Sequence, residues 1–203
     1  MARQPVACER PRTGPQEPGK IGTMEGAAAM KALTIHQPYA ALIACKAKRI
    51  EWRTWAAPRN VIGERIAIHA SVRVPPMRLL EQLRGDTAYL MAVLGMDAMA
   101  CDPQRLAMAR EVLRAMMDGW AQVNPAVADT MWPIPRGCVV ATARVDAAIG
   151  ARDILPNDPA ASPGKWGWPL ADIKPVAPCV PVRGLQRLWQ LPPSIETQVL
   201  VGE

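Results

Sequence analysis

The chain has few of the residues that build metal sites and disulfide frameworks. Among its 203 residues only His36 and His69 carry an imidazole, so a metal centre would lack ligands. The five cysteines are odd in number, widely scattered and never paired at a short spacing. They are Cys8, Cys45, Cys101, Cys138 and Cys179. This usage predicts a reducing compartment, and we expect a cytoplasmic protein without zinc, without structural disulfides and without a cofactor.

Long apolar runs are also missing. No stretch approaches the ~20 residues that a membrane-spanning helix needs, so we expect no membrane partner. Residues 1–29 are rich in proline, glycine, arginine and glutamate and have no apolar segment of the secretory kind. We expect them to form a disordered tail. Met24 and Met30 are then alternative starts of translation, because the first expected strand follows Met30 directly.

The chain does contain enough apolar residues for one core, together with a basic balance. Hydrophobic residues make up 50% of the sequence, and the formal net charge is +6 at pH 7. A chain of this length can bury one full core, so we expect a single domain that carries an insertion. The first thirty residues contribute little of the charge. The basic remainder favours an anionic partner such as RNA, although many basic proteins bind nothing acidic.

A cluster of cations, a carboxylate and two tryptophans occupies residues 46–55. Before it, residues at intervals of three and four predict a helix that begins at Pro38. They are Tyr39, Leu42, Ile43 and Lys46. After Lys48 the pattern alternates, which predicts a strand with Ile50 and Trp52 on one face and the charged side chains, including Glu51 and Arg53, on the other. The charged face of this strand has two possible roles. It either lines a charged cleft or is a solvated surface whose ion pairs contribute about 0–1 kcal/mol each to stability. The spacing of the residues does not decide between these two roles.

Two further strands can be predicted from alternation near the start of the chain. Residues 32–35 form a short apolar run, and residues 64–71 alternate with period two. If Ile66 and Ile68 face the core, His69 and Ser71 face the other way. A lone imidazole on a strand is more often a hydrogen-bonded structural residue than a chemical one.

Residues 75–120 have the periodicity of helices. Apolar residues recur at helical spacing from Pro76 to Leu94, with a break near Gly85 and Asp86. Asp102 followed by proline is a typical helix start, and an apolar stripe follows it. The stripe is Leu106, Ala109, Leu113, Met116 and Trp120. We expect a helical insertion packed on the sheet.

The second half of the chain predicts a buried strand, a loop and an aromatic strand. The strand covers 138–149 and ends near Asp146, and residues 151–164 have loop composition. Trp166 and Trp168 then share one face, with Lys165 and Gly167 opposite. Core packing is the expected role for at least one of the two rings. The other role open to them is a stacking platform for a base, worth about 1–3 kcal/mol.

Two separate groups of motifs resemble the ASCH domain family, the activating-signal-cointegrator homology domains. The first group is Lys31 to Tyr39, Leu42-Ile43 and Lys48-x-x-Glu51-x-Arg53-x-Trp55; the second is Gly164 to Asp172 and Val182 to Trp189. The resemblance implies an α+β fold, a PUA-like mixed β-barrel with flanking helices, at 30–193, with a helical insertion at about 75–120 and a tail at 194–203. Two positions differ from the family pattern, since Lys46 replaces its usual glycine and Lys165 a frequent arginine.

The resemblance also implies a ligand, RNA or a modified nucleoside. The residues that would bind it are Gln37, Lys48, Arg53, Lys165 and Trp166. An alternative is a hydrolase, either a ribonuclease or an amidohydrolase of an acylated nucleoside such as N4-acetylcytidine. The catalytic residues would then be Lys48 and Glu51, assisted by Tyr39, His69 and Ser71. The amidohydrolase type has threonine in place of Glu51, which weakens the amidohydrolase assignment. A third alternative is a protein-interaction domain with a basic face. The sequence does not predict the oligomeric state.

Overall fold

The computed structural model describes residues 29–96, 101–122, 134–154 and 166–203. The expected N-terminal tail therefore lies outside the described residues except for residue 29, and Lys165 lies outside them as well. The elements in chain order are β1 (Lys31–Ile35), α1 (Tyr39–Ala44), β2 (Ile50–Arg53), a 3-10 turn (Arg59–Val61), β3 (Arg65–Ala70), α2 (Met77–Gly85), α3 (Thr87–Leu94), α4 (Pro103–Gln122), β4 (Cys138–Val145), β5 (Ile149–Gly150), α5 (Ala151–Ile154), β6 (Trp166–Pro181), β7 (Leu188–Gln190) and α6 (Pro193–Val201).

The strands form one curled sheet in the order β2-β6-β4-β3-β1-β7, with β5 beside β6. Only β1 and β3 are parallel among these pairs. Register shifts occur where β4 pairs with β3 and with β6, and such bulges bend a sheet. The curl is strong enough for Arg53, at the end of β2, to donate a hydrogen bond to the carbonyl oxygen of Thr34 in β1. The predicted fold class is confirmed, an α+β structure with a PUA-like, partly closed mixed sheet and flanking helices.

Both faces of the sheet carry buried apolar clusters, because different layers cover them, and the face at the start of β6 stays open around Trp166. The inner face carries Leu33, Ile68 and Trp168, against which Ile43 of α1 packs. The outer face carries a second apolar cluster that includes Ala67, the residue between the two isoleucines of β3. The predicted alternation in β3 is therefore correct, but neither of its faces reaches solvent.

Three helices fill the segment expected to hold the insertion, and they share an apolar cluster with Leu42 of α1. Asp86 ends α2 and caps α3, because its carboxylate accepts a hydrogen bond from the Tyr89 amide at 2.9 Å. Asp102 starts α4 in the same way, accepting from the Gln104 amide at 3.0 Å. Three residues of the predicted stripe on α4 are fully buried, Ala109, Leu113 and Met116. Both the break and the helix start expected from the sequence are confirmed.

The predicted tail over 194–203 is instead mostly helix. Helix α6 covers Pro193–Val201, and Val199 on it is fully buried in the outer cluster. The Glu196 carboxylate accepts a hydrogen bond from the Met30 amide at 3.0 Å. Glu203 is also held, since its carboxylate accepts from Thr142 and from Lys174. The helix was missed because a stretch of nine residues after a proline carries too little periodicity to distinguish it from a tail.

The remaining expectation concerns residues 151–164. Helix α5 occupies the beginning of that predicted loop, and residues 155–165 lie outside the described ranges. No helix in the described ranges is long and apolar enough to cross a membrane.

Candidate functional site

The pairing of β2 with β6 places charged and aromatic side chains on one face. Glu51 lies opposite Trp168, and Arg53 lies opposite Trp166. Directly opposed residues of an antiparallel pair project to the same side, so all four side chains share one face. Trp52 projects the other way, where its indole nitrogen donates to the Ala92 carbonyl of α3 at 3.2 Å. The two faces predicted from the alternation are confirmed, and the helical insertion braces the back of β2.

Glu51 is the centre of a buried ion triad, which comprises Lys48, Glu51 and Arg53. One carboxylate oxygen is 3.3 Å from Nζ of Lys48, and the other is 3.1 Å from Nη2 of Arg53. The side chains of Lys48 and Glu51 are only 3% and 7% exposed. The Lys48 ammonium also donates to the Ile50 carbonyl. The solvated-surface alternative is therefore wrong for this pair, since a surface ion pair would keep its water.

Burial sets the electrostatics of Lys48. Loss of solvent lowers the pKa of this lysine, the nearby Glu51 carboxylate opposes that shift, and the positive charges of Arg53 and Arg105 reinforce it. Arg105 lies behind the turn that carries Lys48, donating to the carbonyls of Ala47 and Leu94 at 2.9 and 2.7 Å. The ammonium of Lys48 is thus held by one carboxylate and one carbonyl and has little contact with water.

Arg53 is the member of the ion triad that reaches the surface. Its side chain is 21% exposed, and Nη2 contacts both Glu51 and the Thr34 carbonyl, the latter at 3.2 Å. Its Nε is buried and has no hydrogen-bond partner in the described part of the chain. A guanidinium offers five N–H donors in a planar fork. Arg53 is therefore positioned by Glu51, and the part of its guanidinium that reaches solvent is what an incoming anion or base edge would contact.

The two tryptophans of β6 have different surroundings. Trp168 is fully buried, donates to the Trp55 carbonyl at 3.1 Å, and meets the Trp55 ring edge-on with centroids 4.6 Å apart. Trp166 is 36% exposed. Core packing is thus the role of Trp168, as expected for at least one of the pair. The ring of Trp166 lies open beside Arg53.

A histidine that the sequence analysis did not select lies at the same edge. His36 follows the end of β1 and Ser71 follows the end of β3, and Nδ1 of the imidazole is 2.9 Å from the serine Oγ. Partial burial lowers the pKa of His36, the charges of Arg73 and Arg53 lower it further, and Glu51 opposes them. We call His36, Arg53, Ser71, Arg73 and Trp166 the cleft mouth. The contact between His36 and Ser71 follows from the parallel register of β1 with β3, because Ile35 pairs with Ala70 and the next residue of each strand end lies beside this pair.

Two residues of the first motif have structural partners. Gln37 is 1% exposed, and its amide donates to the Pro135 carbonyl at 2.8 Å and accepts from the Ala41 amide at 3.0 Å. Its polar atoms therefore hold α1 in place. Burial, a hydrogen bond to Tyr89 and the charge of Glu51 raise the pKa of Tyr39 to about 12, so its hydroxyl stays protonated at neutral pH.

His69 does not join the ion triad. Its ring nitrogen Nε2 is 3.0 Å from the Val182 carbonyl, and the ring meets Trp189 edge-on with centroids 5.8 Å apart. Burial lowers the pKa of His69, and only the hydrogen bond to Val182 opposes this. His69 thus lies with the outer cluster, whereas Ser71, two residues later, reaches the cleft mouth through His36. No group of three or more possible metal ligands lies together within the described residues.

Comparisons with known proteins agree with the first group of motifs. A family model described as the ASCH domain matches residues 33–150. The crystal structure of ASCH from Zymomonas mobilis is 14% identical, with a TM-score of 0.43 over 85% of this chain and 94% of that chain. Crystal structures of two single-residue variants of that protein are similar as well. The Tyr to Phe variant is 13% identical, with a TM-score of 0.41 over 86% of this chain and 97% of that chain. The Ser to Ala variant is 12% identical, with a TM-score of 0.44 over 85% of this chain and 94% of that chain. No curated protein sequence matches the chain.

Proposed function

The chain belongs to the ASCH domain family, and from that premise we propose that its cleft mouth binds a nucleotide of single-stranded RNA or a modified nucleoside. The observation that carries the proposal is the pairing of Arg53 with Trp166. One offers a guanidinium that is held by Glu51 and partly exposed to solvent, and the other offers an open indole ring on the same strand face. A cation for phosphate beside a ring for stacking is the usual combination in sequence-tolerant binding of single strands.

The ion triad supports this site from behind. Lys48 is 2% exposed, which favours a role through Glu51 over direct contact with phosphate. Glu51 in turn fixes Arg53, so that little rotamer entropy is lost when the guanidinium meets a ligand. Arginine suits such a contact better than lysine, because its planar fork matches two phosphate oxygens at once.

The net charge of the chain supports an anionic ligand as well. Arg53 and the exposed Arg73 are the cations whose charges lower the pKa of His36, and each phosphate neutralised releases counterions. For a single strand we expect the logarithm of the affinity to fall with a slope of about −0.7 per phosphate contact against the logarithm of salt concentration. Binding through two arginines therefore predicts a slope between about −1 and −2.

The test is binding of a short oligouridylate to the full chain at two salt concentrations, measured by fluorescence anisotropy. Trp166→Ala removes the stacking surface and should weaken binding by about 5- to 150-fold, the equivalent of 1–3 kcal/mol. Trp166→Phe keeps a ring and should restore most of the affinity. Arg53→Lys keeps the charge and loses the fork, so it should weaken binding with an unchanged salt slope. Arg114→Lys, at an exposed arginine on α4, is the charge-matched control for Arg53→Lys. Equal affinity for wild type and Trp166→Ala would end the proposal.

A hydrolase is the second candidate, and the environment of Lys48 favours it. A lysine whose pKa is lowered by burial is suited to act as a general base, and the contact with the Glu51 carboxylate works against this by favouring the ammonium. Tyr39 lies close enough to Glu51 to feel its charge. Incubation of the full chain with RNA and with acylated nucleosides, followed by chromatography, separates the candidates. Binding without product formation would remove the hydrolase, whereas turnover that is lost in a folded Lys48→Gln variant would favour it.

A further inference from the structure

His36 is anchored at one ring nitrogen and open at the other. Its Nδ1 is 2.9 Å from the hydroxyl of Ser71, and the Ser71 amide donates to the Ile35 carbonyl at 2.9 Å. The parallel pairing of β1 and β3 therefore fixes both residues side by side. Within the residues described, Nε2 has no hydrogen-bond partner, and the side chain is exposed. The imidazole thus has one anchored nitrogen and one that is free for a ligand.

The charges that face His36 come from two elements. Arg53 and Glu51 lie on β2, and Arg73 lies just beyond β3; the two arginines disfavour a protonated imidazole and Glu51 favours it. Glu51 is already engaged by Lys48 and Arg53, so the positive charges dominate. Together with partial burial they lower the pKa of His36 below its usual value, and the ring is neutral in the free protein at pH 7.

We propose that His36 is a further phosphate-binding residue of the cleft mouth, and that a phosphodiester bound by Arg53 and Arg73 draws a proton onto this imidazole. The inference rests on the proposed function and adds a regulation of the same site by pH. A bound phosphodiester brings a negative charge that offsets the two arginines, and it accepts a hydrogen bond from Nε2–H. Both effects favour the protonated ring.

Ser71 is suited to both protonation states of its neighbour. A hydroxyl can donate or accept, because its hydrogen rotates. In the free protein, Ser71 donates to Nδ1 in one tautomer of the neutral ring and accepts from it in the other. In the complex the protonated ring donates from Nδ1 to the serine oxygen and from Nε2 to the phosphate. No other movement is required, since the distance of 2.9 Å fits either direction.

The sign of the pH dependence follows from the direction of the change. The pKa of His36 is lowered in the free protein and rises when phosphate binds. Affinity is therefore greatest below the free-state pKa and falls as the pH rises through the bound-state pKa. Proton uptake on binding is largest between the two values. Each unit of difference between them changes the affinity about tenfold over this range.

The experiment measures binding of an oligouridylate with hydroxyl groups at both ends, because this probe has no group that titrates near neutral pH. Calorimetry of the full chain in two buffers of different ionisation enthalpy counts the protons taken up. We expect uptake of a fraction of a proton near pH 6.5, and affinity about tenfold higher at pH 5.5 than at pH 8. His36→Gln keeps a polar side chain that does not titrate, so both effects should vanish, and the weaker binding that remains through Arg53 and Trp166 should not depend on pH.

The outcomes distinguish this inference from the proposed function. RNA that binds wild type with no pH dependence would overturn the role of His36 alone. The same proton uptake by His36→Gln would overturn it as well and would point to another titrating group. Absence of RNA binding at every pH would overturn both. Ser71→Ala should reduce the proton uptake, because it removes the acceptor for Nδ1–H.

Discussion

Replacement of Glu51 by glutamine tests the ion triad on which the site depends. The change keeps the shape of the side chain and removes the charge that faces Lys48 at 3.3 Å and Arg53 at 3.1 Å. At an effective dielectric constant of about 20, each contact is worth about 5 kcal/mol of Coulomb energy, much of it offset by desolvation. Removing one partner of a buried pair leaves the other uncompensated, so we expect the free energy of unfolding to fall by about 3–5 kcal/mol.

The pH dependence of that loss is a second readout of the same change. Burial lowers the pKa of Lys48 below its usual 10.5 in the folded protein, so the unfolded chain binds more protons between the two values. Stability of the wild type therefore rises with pH across that window, by at most about 1.4 kcal/mol per unit for one proton. Without the Glu51 charge the folded-state pKa falls further and the rise begins at lower pH. The difference between variant and wild type should shrink above the window, where Lys48 is neutral in both.

Urea unfolding at several pH values measures both quantities, with the slope against urea as a check that the folded states are comparable. Glu111→Gln on α4 is the matched control, because this exposed carboxylate contacts only Arg114 across one helical turn. The control should change stability by less than about 1 kcal/mol. If Glu51→Gln costs no more than the control, Lys48 and Glu51 are solvated and the reasoning about the ion triad is refuted.

Two further predictions concern the scaffold and use the same unfolding assay. Lys46 is exposed and has a positive φ of 65°, a conformation that costs a non-glycine residue about 1–2 kcal/mol. Lys46→Gly should therefore raise the free energy of unfolding by up to about 1 kcal/mol, after the larger conformational entropy of glycine in the unfolded chain is deducted. A loss of stability would contradict this. Val199→Ala should lower stability by about 2 kcal/mol, because it opens a cavity under helix α6; no effect would mean that α6 behaves as the tail first predicted.

The sequence predicts the parts of the site whose geometry is local. Alternation over residues 49–55 gives the two faces of β2, and a spacing of two puts Trp166 and Trp168 together, because side-chain direction in a strand depends only on position. Helix caps are equally local, which is why the break at Asp86 and the start at Asp102 were correct. The outcome for Lys46 follows the same logic, since its backbone takes the left-handed conformation for which the family usually has glycine.

The remainder depends on pairing between distant segments. His36 and Ser71 are 35 residues apart, and only the parallel register of β1 with β3 brings them into contact. The burial of Lys48 was also hidden, because it requires the insertion helices and Arg105 to close over the turn. Gln37 was predicted as a ligand-binding residue because it belongs to the motif, but its side-chain amide bonds to the backbone of Pro135 and Ala41. Periodicity reports which face a residue takes and says nothing about what will cover that face.

The most direct measurement of the central claim is photochemical crosslinking of an oligouridylate to the full chain, with the attachment sites mapped by mass spectrometry. Binding at the cleft mouth predicts crosslinks at Trp166 and in the peptide that carries His36, and their loss at high salt. Crosslinks confined to helices α2 to α4, with none at Trp166 or near His36, would contradict the account.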